Sequence, residues 1–334
     1  LTALEVKGKG KGRVRAGAFA LSLLSAPLNV LVLQALEAEA TSLMDLRRAA
    51  GSPPQTTLRK QLQALTGIGV IAKRRRPSFP GAVDYKLTGP GQELMRVAAI
   101  LQGWLNAAPE GPLALGDRSA KSAIKALVEG WSSTLIRALA GRPLALTELD
   151  ALISGLSYPS LERRLVSMRM AGQVNPCTGP GRGTPYAVTD WLRMATAPLA
   201  AAVHWERQHA PEEAAPVGRL DVEAAFLLAM PLLRLPTDQS GVCRLAVGTA
   251  NGDQRRLAGV LVGVEEGRVA YCRARLEGNA NAWASGSTTS WLRAVLERDT
   301  DNLEIGGDCQ LAYEIVARLR ETRAEEHAAR TPGP

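Results

Sequence analysis

The chain has 334 residues, 46% hydrophobic and 22% charged, a composition that excludes a disordered or collagenous protein and predicts two or three domains. Its 3 His and 4 widely spaced Cys exclude a zinc ribbon, a CxxC redox pair and a disulfide framework, and favour a reducing, cytoplasmic setting. The net charge of +8 is uneven, with +8 over residues 1–116, +4 over 117–210 and −4 over 211–334, so the first two thirds suit a polyanion and the last third does not.

A flexible basic arm is predicted over 1–19, where Lys7, Lys9 and Lys11 alternate with glycine. The uncharged run Ala16–Leu36 overlaps its end. Cations ahead of an apolar stretch resemble a signal peptide or a short membrane span. Ser22, Ser25, Pro27, Asn29 and Gln34 interrupt this one, so it reads as two core-facing helices joined at Pro27 and not as a membrane segment.

The strongest signal is an internal repeat. Ala20–Lys73 aligns without a gap onto Ala123–Pro176, an offset of 103 residues. Leu58, Leu62 and Leu65 fall on Leu161, Leu165 and Met168, and Gly69 falls on Gly172. After a two-residue shift, Tyr85–Thr88 falls on Tyr186–Thr189 and Trp104 on Trp205. Each copy predicts a helix (28–37; 131–140), a short helix opening at a capping Ser42 or Thr147, a turn, and a third helix (54–66; 157–169). A short strand, a Pro/Gly/Arg-rich loop, a second strand and an amphipathic helix complete it. This is the winged helix-turn-helix layout, predicted twice, over 20–112 and 117–207; its third helix is sized for a major groove.

The pattern Leu43-x-x-Leu46-Arg47-Arg48, the third helix followed by Gly69-Val70-Ile71, and Val83-Asp84-Tyr85-Lys86-Leu87-Thr88-x-x-Gly91 resemble HxlR-type winged-helix transcriptional regulators. Gly155-Leu156-Ser157 and Leu161-x-x-Arg164-Leu165 extend the resemblance to the second copy, which lacks the glycine after its second strand. Double-stranded DNA is the partner this resemblance implies. The residue chemistry points the same way. Gln55, Thr56, Thr57, Arg59 and Lys60 in the first copy, and Ser157, Tyr158, Ser160, Arg163 and Arg164 in the second, are the expected groove-facing residues, because Arg can pair bidentately with guanine. Lys73, Arg74, Arg75 and Arg76 are expected at a hairpin tip, suited to phosphates or a minor groove, and Arg182 is the one cation of the second wing. Pro54 stands where the second copy has Ser157, so the first copy is expected to lack that helix cap.

Residues 207–220 read as a linker. Beyond them, a helix over 222–233, three alternating strands (241–249, 256–264, 267–275), and helices over 289–296 and 309–322 predict a small antiparallel-sheet α+β domain over 218–326. Gly267-Arg268-Val269, Ala284-x-Gly286 ahead of Trp291-Leu292, and Leu303-x-Ile305-x-Gly307-Asp308 resemble the sterol-carrier-protein-like fold. That resemblance implies an apolar small molecule, or pairing of chains into a homodimer, with Phe226, Tyr271, Trp283 and Trp291 as candidate cavity residues. No catalytic constellation, cofactor motif or metal-ligand spacing is found. The Gly-rich stretch 178–183 is not followed by Gly-Lys-Ser/Thr, Glu265-Glu266 is a turn, and Asp308 reads as a helix cap. The expected fold class is therefore mainly α with an α+β C-terminal part. The expected function is a bacterial transcriptional regulator, not an enzyme, with ligand sensing or dimerisation in its last third. The alternative from another class is a protein that sequesters a hydrophobic small molecule.

Overall fold

The computed structural model describes residues 15–75, 83–130, 133–179, 183–248 and 257–321. They form two compact units, one drawn from 15–128 and 198–215, the other from 129–197 and 216–321.

The first unit opens with α1 (Ala18–Ser25) and α2 (Pro27–Glu37), bent 84° from one another. Pro27 occupies the first position of α2, where a missing N–H leaves no helical bond unmade. The break expected at Pro27 is thus present, and no single described helix is long and apolar enough to cross a membrane. α3 (Leu43–Ala49) starts at Ser42, whose hydroxyl accepts the Asp45 N–H at 3.1 Å. α4 (Gln55–Gly67) buries Leu58, Leu62 and Leu65, each contributing about 1.5–3 kcal/mol of transfer free energy. Pro54 leaves its N-terminus without a side-chain cap, as expected. β1 (Ile71–Arg75) and β2 (Val83–Leu87) form an antiparallel hairpin with Lys73 opposite Tyr85 and Arg74 opposite Asp84. α5 (Gly89–Asn106), capped by the Thr88 hydroxyl, buries Leu94, Leu101 and Trp104. A Cβ on Gly91 would lie 2.1 Å from the Val70 carbonyl oxygen, so only glycine lets α5 begin against the end of α4 and the start of β1.

The amphipathic α6 (Arg118–Gly130) leads into α7 (Ser133–Gly141), β3 (Leu144–Ala145), α8 (Leu146–Leu152) and α9 (Tyr158–Met170). β4 (Val174–Pro176), β5 (Pro185–Val188), α10 (Asp190–Met194) and α11 (Thr196–His209) follow. The order helix, short helix, helix, hairpin, helix therefore occurs in both halves. Three details differ from expectation. β3 is an additional strand, giving an antiparallel sheet of order β3-β5-β4. α8 starts one residue before Thr147, and the Glu148 carboxylate, not a hydroxyl, accepts the Ala145 N–H at its start (2.9 Å). The Ser157 hydroxyl bonds the Ser160 hydroxyl at 2.9 Å and leaves the helix N–H groups of α9 uncapped.

From Pro198 onward α11 belongs to the first unit. The Trp205 ring stacks on Phe19 at 6.4 Å between centroids, and its indole N–H donates to the Pro90 carbonyl at 2.8 Å. Beside it the buried Glu206 carboxylate accepts the N–H groups of Gly17 (2.7 Å) and Ala20 (2.9 Å) at the start of α1. α11 runs to His209, into the stretch whose composition suggests a linker.

The second unit continues through α12 (Arg219–Ala229), β6 (Gly241–Gly248), β7 (Ala258–Glu265), β8 (Arg268–Arg273), β9 (Ala282–Ser287), α13 (Thr288–Leu292), β10 (Glu304–Gly307) and α14 (Cys309–Glu321). A short π-helical turn, Arg293–Glu297, extends α13. The sheet order is β10-β9-β6-β7-β8, and β6 pairs β9 in parallel. The sheet is thus mixed and five-stranded where three antiparallel strands are expected. β9 escapes a sequence reading because Ala-Trp-Ala-Ser-Gly-Ser carries no β-branched residue. One face of the sheet, with Cys243, Leu245, Val247, Val260 and Val262, packs on Phe226, Trp291, Leu311 and Ile315. α12 also lies against α7. Glu223 accepts from Arg137 Nε at 2.6 Å and from the Gly259 N–H at 3.0 Å, and the Arg193 guanidinium donates to the Leu227 carbonyl at 3.0 Å. Asp308 caps α14 as expected, accepting the Leu311 N–H at 3.3 Å.

Candidate nucleic-acid interface

The leucine face of α4 fixes what its other side can present. With Leu58, Leu62 and Leu65 buried, Gln55, Thr56, Thr57, Arg59 and Lys60 are all exposed. Thirteen residues at 1.5 Å each give a rod of about 20 Å, a length that fits along a major groove. Gln61, on the same helix, is committed elsewhere: its amide donates to Asn29 Oδ1, and Asn29 in turn donates to the Leu23 carbonyl at 2.9 Å. These bonds pin α4 to α2 and set its angle. Gln63 is exposed one turn beyond Arg59 and extends the polar face. Its spacing of three from Lys60 is the signal that identifies it.

Lys73, Arg74 and Arg75 are exposed, but they lie within β1 and not at a hairpin tip. β1 is longer than its two β-branched residues suggest, because five residue pairs are held in register by β2. Pleating sends Lys73 and Arg75 to one side and Arg74 to the other. Arg76 lies outside the described residues. The hairpin is anchored to the helices: the Tyr85 N–H donates to the Thr41 carbonyl at 2.9 Å, the Thr88 N–H to the Val70 carbonyl at 3.1 Å, and Tyr85 is buried. α4 and a strand bearing three cations are therefore held on one small unit.

α9 presents a different surface. Of its expected readers, Ser157, Tyr158 and Arg163 are exposed, whereas Ser160 is half-buried. Arg164 is half-buried too. Desolvation pushes its pKa below the usual guanidinium value, opposed by the charge of Glu129. The positions pointing furthest from the Leu161/Leu165/Met168 face are Pro159, Val166 and Met170, together with Arg163. At the 103-residue offset α4 has Thr56, Gln63 and Gly67 where α9 has Pro159, Val166 and Met170. Arg182 lies outside the described residues.

The four aromatic candidates of the last third are not brought together. Phe226 and Trp291 meet edge to face in the core, with centroids 4.8 Å apart, and the Trp291 N–H donates to the Ala246 carbonyl at 2.8 Å. Strand alternation buries Ala282 and Ala284 and turns Trp283 to the opposite face of the sheet, 37% exposed. Tyr271 lies over Gly263 on that opposite face, with the Arg273 guanidinium 4.9 Å from its ring.

A helix-turn-helix with an exposed polar third helix, followed by a hairpin bearing three cations, defines the class of helix-turn-helix regulators. Residues 23–110 match the HxlR-like helix-turn-helix family. A 92-residue stretch, 28% of this chain, is 33% identical to the uncharacterized HTH-type transcriptional regulator YtfH of Escherichia coli (strain K12) and covers 73% of that relative. The protein of the same description from Shigella flexneri matches to the same extent. The chain belongs to the HxlR-like helix-turn-helix family.

Proposed function

We propose that this protein is a transcriptional regulator whose reading of duplex DNA is concentrated in the first helix-turn-helix. α4 enters the major groove with Gln55, Thr56, Thr57, Arg59 and Lys60 at base edges, and Lys73, Arg74 and Arg75 of β1 hold phosphates. The observation that carries this reading is the joint exposure of those polar and cationic side chains on one helix and the adjoining hairpin. The recurrence of the same element order at the repeat offset supports a second winged helix-turn-helix over 117–207. Its α9 has lost most of the polar outward face, so the two copies divide the work. The C-terminal sheet acts through that second copy, since α12 packs on α7 and joins it by the Arg137–Glu223 pair.

The test is selection of bound duplexes from a random pool, followed by titration at several salt concentrations. About three or four phosphate contacts per chain give a slope of log K against log salt of about −3 to −4. A flat slope, or no recovery of a preferred sequence, overturns the reading.

A further inference from the structure

We propose that α9 is a pairing surface, on which two copies of this chain meet antiparallel about Val166. The proposal concerns a different surface from the DNA-reading one and stands independently of it.

Apart from Arg163, the outward side of α9 is apolar and poorly suited to a phosphate-lined groove. Val166 is 53% exposed and Met170 is 78% exposed. Leu152, at the end of α8, and Tyr158, at the start of α9, are also exposed, at 50% and 42%. At the repeat offset the first copy has Ala49, Gln55, Gln63 and Gly67 at these four positions. Single exposed apolar residues are ordinary on a monomer, but Val166 and Met170 stand one turn apart on the same side of α9. Glu162 adds to the contrast: it stands where α4 has Arg59, and a carboxylate facing a phosphate backbone repels it.

The charges beside the patch fit a second copy. Glu162 and Arg169 are both exposed and lie two helical turns apart on one flank of α9. When two identical helices pair antiparallel about a two-fold axis, residues equidistant from the axis on the same flank come together. Glu162 and Arg169 are equidistant from a point beside Val166. Each Glu162 then meets the partner's Arg169, giving two such pairs, and Val166 packs on its own counterpart. Met170 extends the apolar seam toward the partner's Pro159. Pairing here would also supply a second α4, which a chain with a single polar reading helix needs in order to cover two half-sites.

Sedimentation velocity of the full chain across the micromolar range tests the proposal, with circular dichroism confirming that each variant is folded. The wild type should form a concentration-dependent dimer, and Val166→Glu should be monomeric with an unchanged spectrum. Glu162→Arg and Arg169→Glu should each weaken the dimer about tenfold or more, since each turns two attractions into repulsions, and the double exchange should restore it to within a few-fold. A monomeric wild type, a dimer indifferent to Val166→Glu, or a double exchange no better than the single ones overturns the proposal. Binding to a short duplex carrying one selected half-site is measured beside it. If Val166→Glu abolishes that binding while the dimer persists, α9 reads DNA and the pairing proposal falls. If the dimer behaves as expected but no variant or wild type binds the duplex, pairing stands and the DNA reading fails.

Discussion

Arg137→Met should destabilise the second unit by about 3 kcal/mol. Glu223 on α12 is 2% exposed, and its carboxylate has two partners, Arg137 Nε at 2.6 Å and the Gly259 N–H at 3.0 Å. Val222, Phe226 and Leu227, its neighbours on α12, are buried and apolar. Removing the guanidinium leaves a buried carboxylate with one backbone donor. Breaking a buried pair from one side costs about 3–5 kcal/mol. Arg137 is 29% exposed, so water can reach part of the vacated space, and the lower end applies. With a urea slope of about 1–3 kcal/mol per molar, the midpoint should fall by about 1–3 M. The double variant Arg137→Met with Glu223→Gln keeps an acceptor for Gly259 without a charge and should return to within about 1 kcal/mol of wild type. A single variant within about 0.5 kcal/mol of wild type, the spread of an ordinary surface substitution, would refute the reasoning. So would a double variant less stable than the single one.

Neutralising Arg74 and Arg75 together should weaken binding to every duplex and flatten the salt slope by about one to two, measured by anisotropy, whereas Arg59→Ala should relax preference at one base position. A fragment ending at 210 removes α12 from α7 and uncovers Ala140, so hydrogen exchange should show α7 losing protection while α4 and α5 keep theirs. Gly91→Ala should lower stability by about 1–3 kcal/mol in a denaturant melt, because the added methyl meets the Val70 carbonyl. Burial pushes the Glu206 carboxyl above its usual value, against the pull of the Gly17 and Ala20 N–H groups. The folded chain therefore holds that proton more tightly than the unfolded one, and stability should fall as pH rises from the ordinary carboxylate range through the folded value. Glu206→Gln should remove that part of the slope. Burial also pushes the Cys243 thiol up to about 12, whereas Cys309 is exposed. A thiol reagent at mildly alkaline pH should modify Cys309 at once and Cys243 only as fast as the unit opens.

The leucine faces of α4 and α9, the Pro27 break and the Ser42 and Asp308 caps are all legible in the sequence, because each depends on neighbours within a turn or two of the chain. Periodicity likewise identifies the exposed readers on α4, since burying Leu58, Leu62 and Leu65 turns the opposite side of the helix to solvent. Other features depend on partners far along the chain. β1 extends to Arg75 because β2 pairs with it, which moves the cations from a turn into a strand. β9 is a strand because β6 and β10 flank it, although of its own residues only Trp283 favours one, and the parallel β6–β9 pairing depends on a crossover that no local pattern encodes. The separation of Phe226 and Trp291 from Tyr271 and Trp283 follows from which face of the sheet each strand turns to the helices. Composition makes 207–220 a linker, yet α11 reaches His209 because Trp205 and Glu206 find Phe19 and the start of α1 nearly two hundred residues earlier in the chain, and Pro90 115 residues earlier. Local order is set by hydrogen bonds and side-chain spacing within a helical turn, and the sequence shows it directly. Which surfaces are covered is set by long-range burial, and only the tertiary structure decides that.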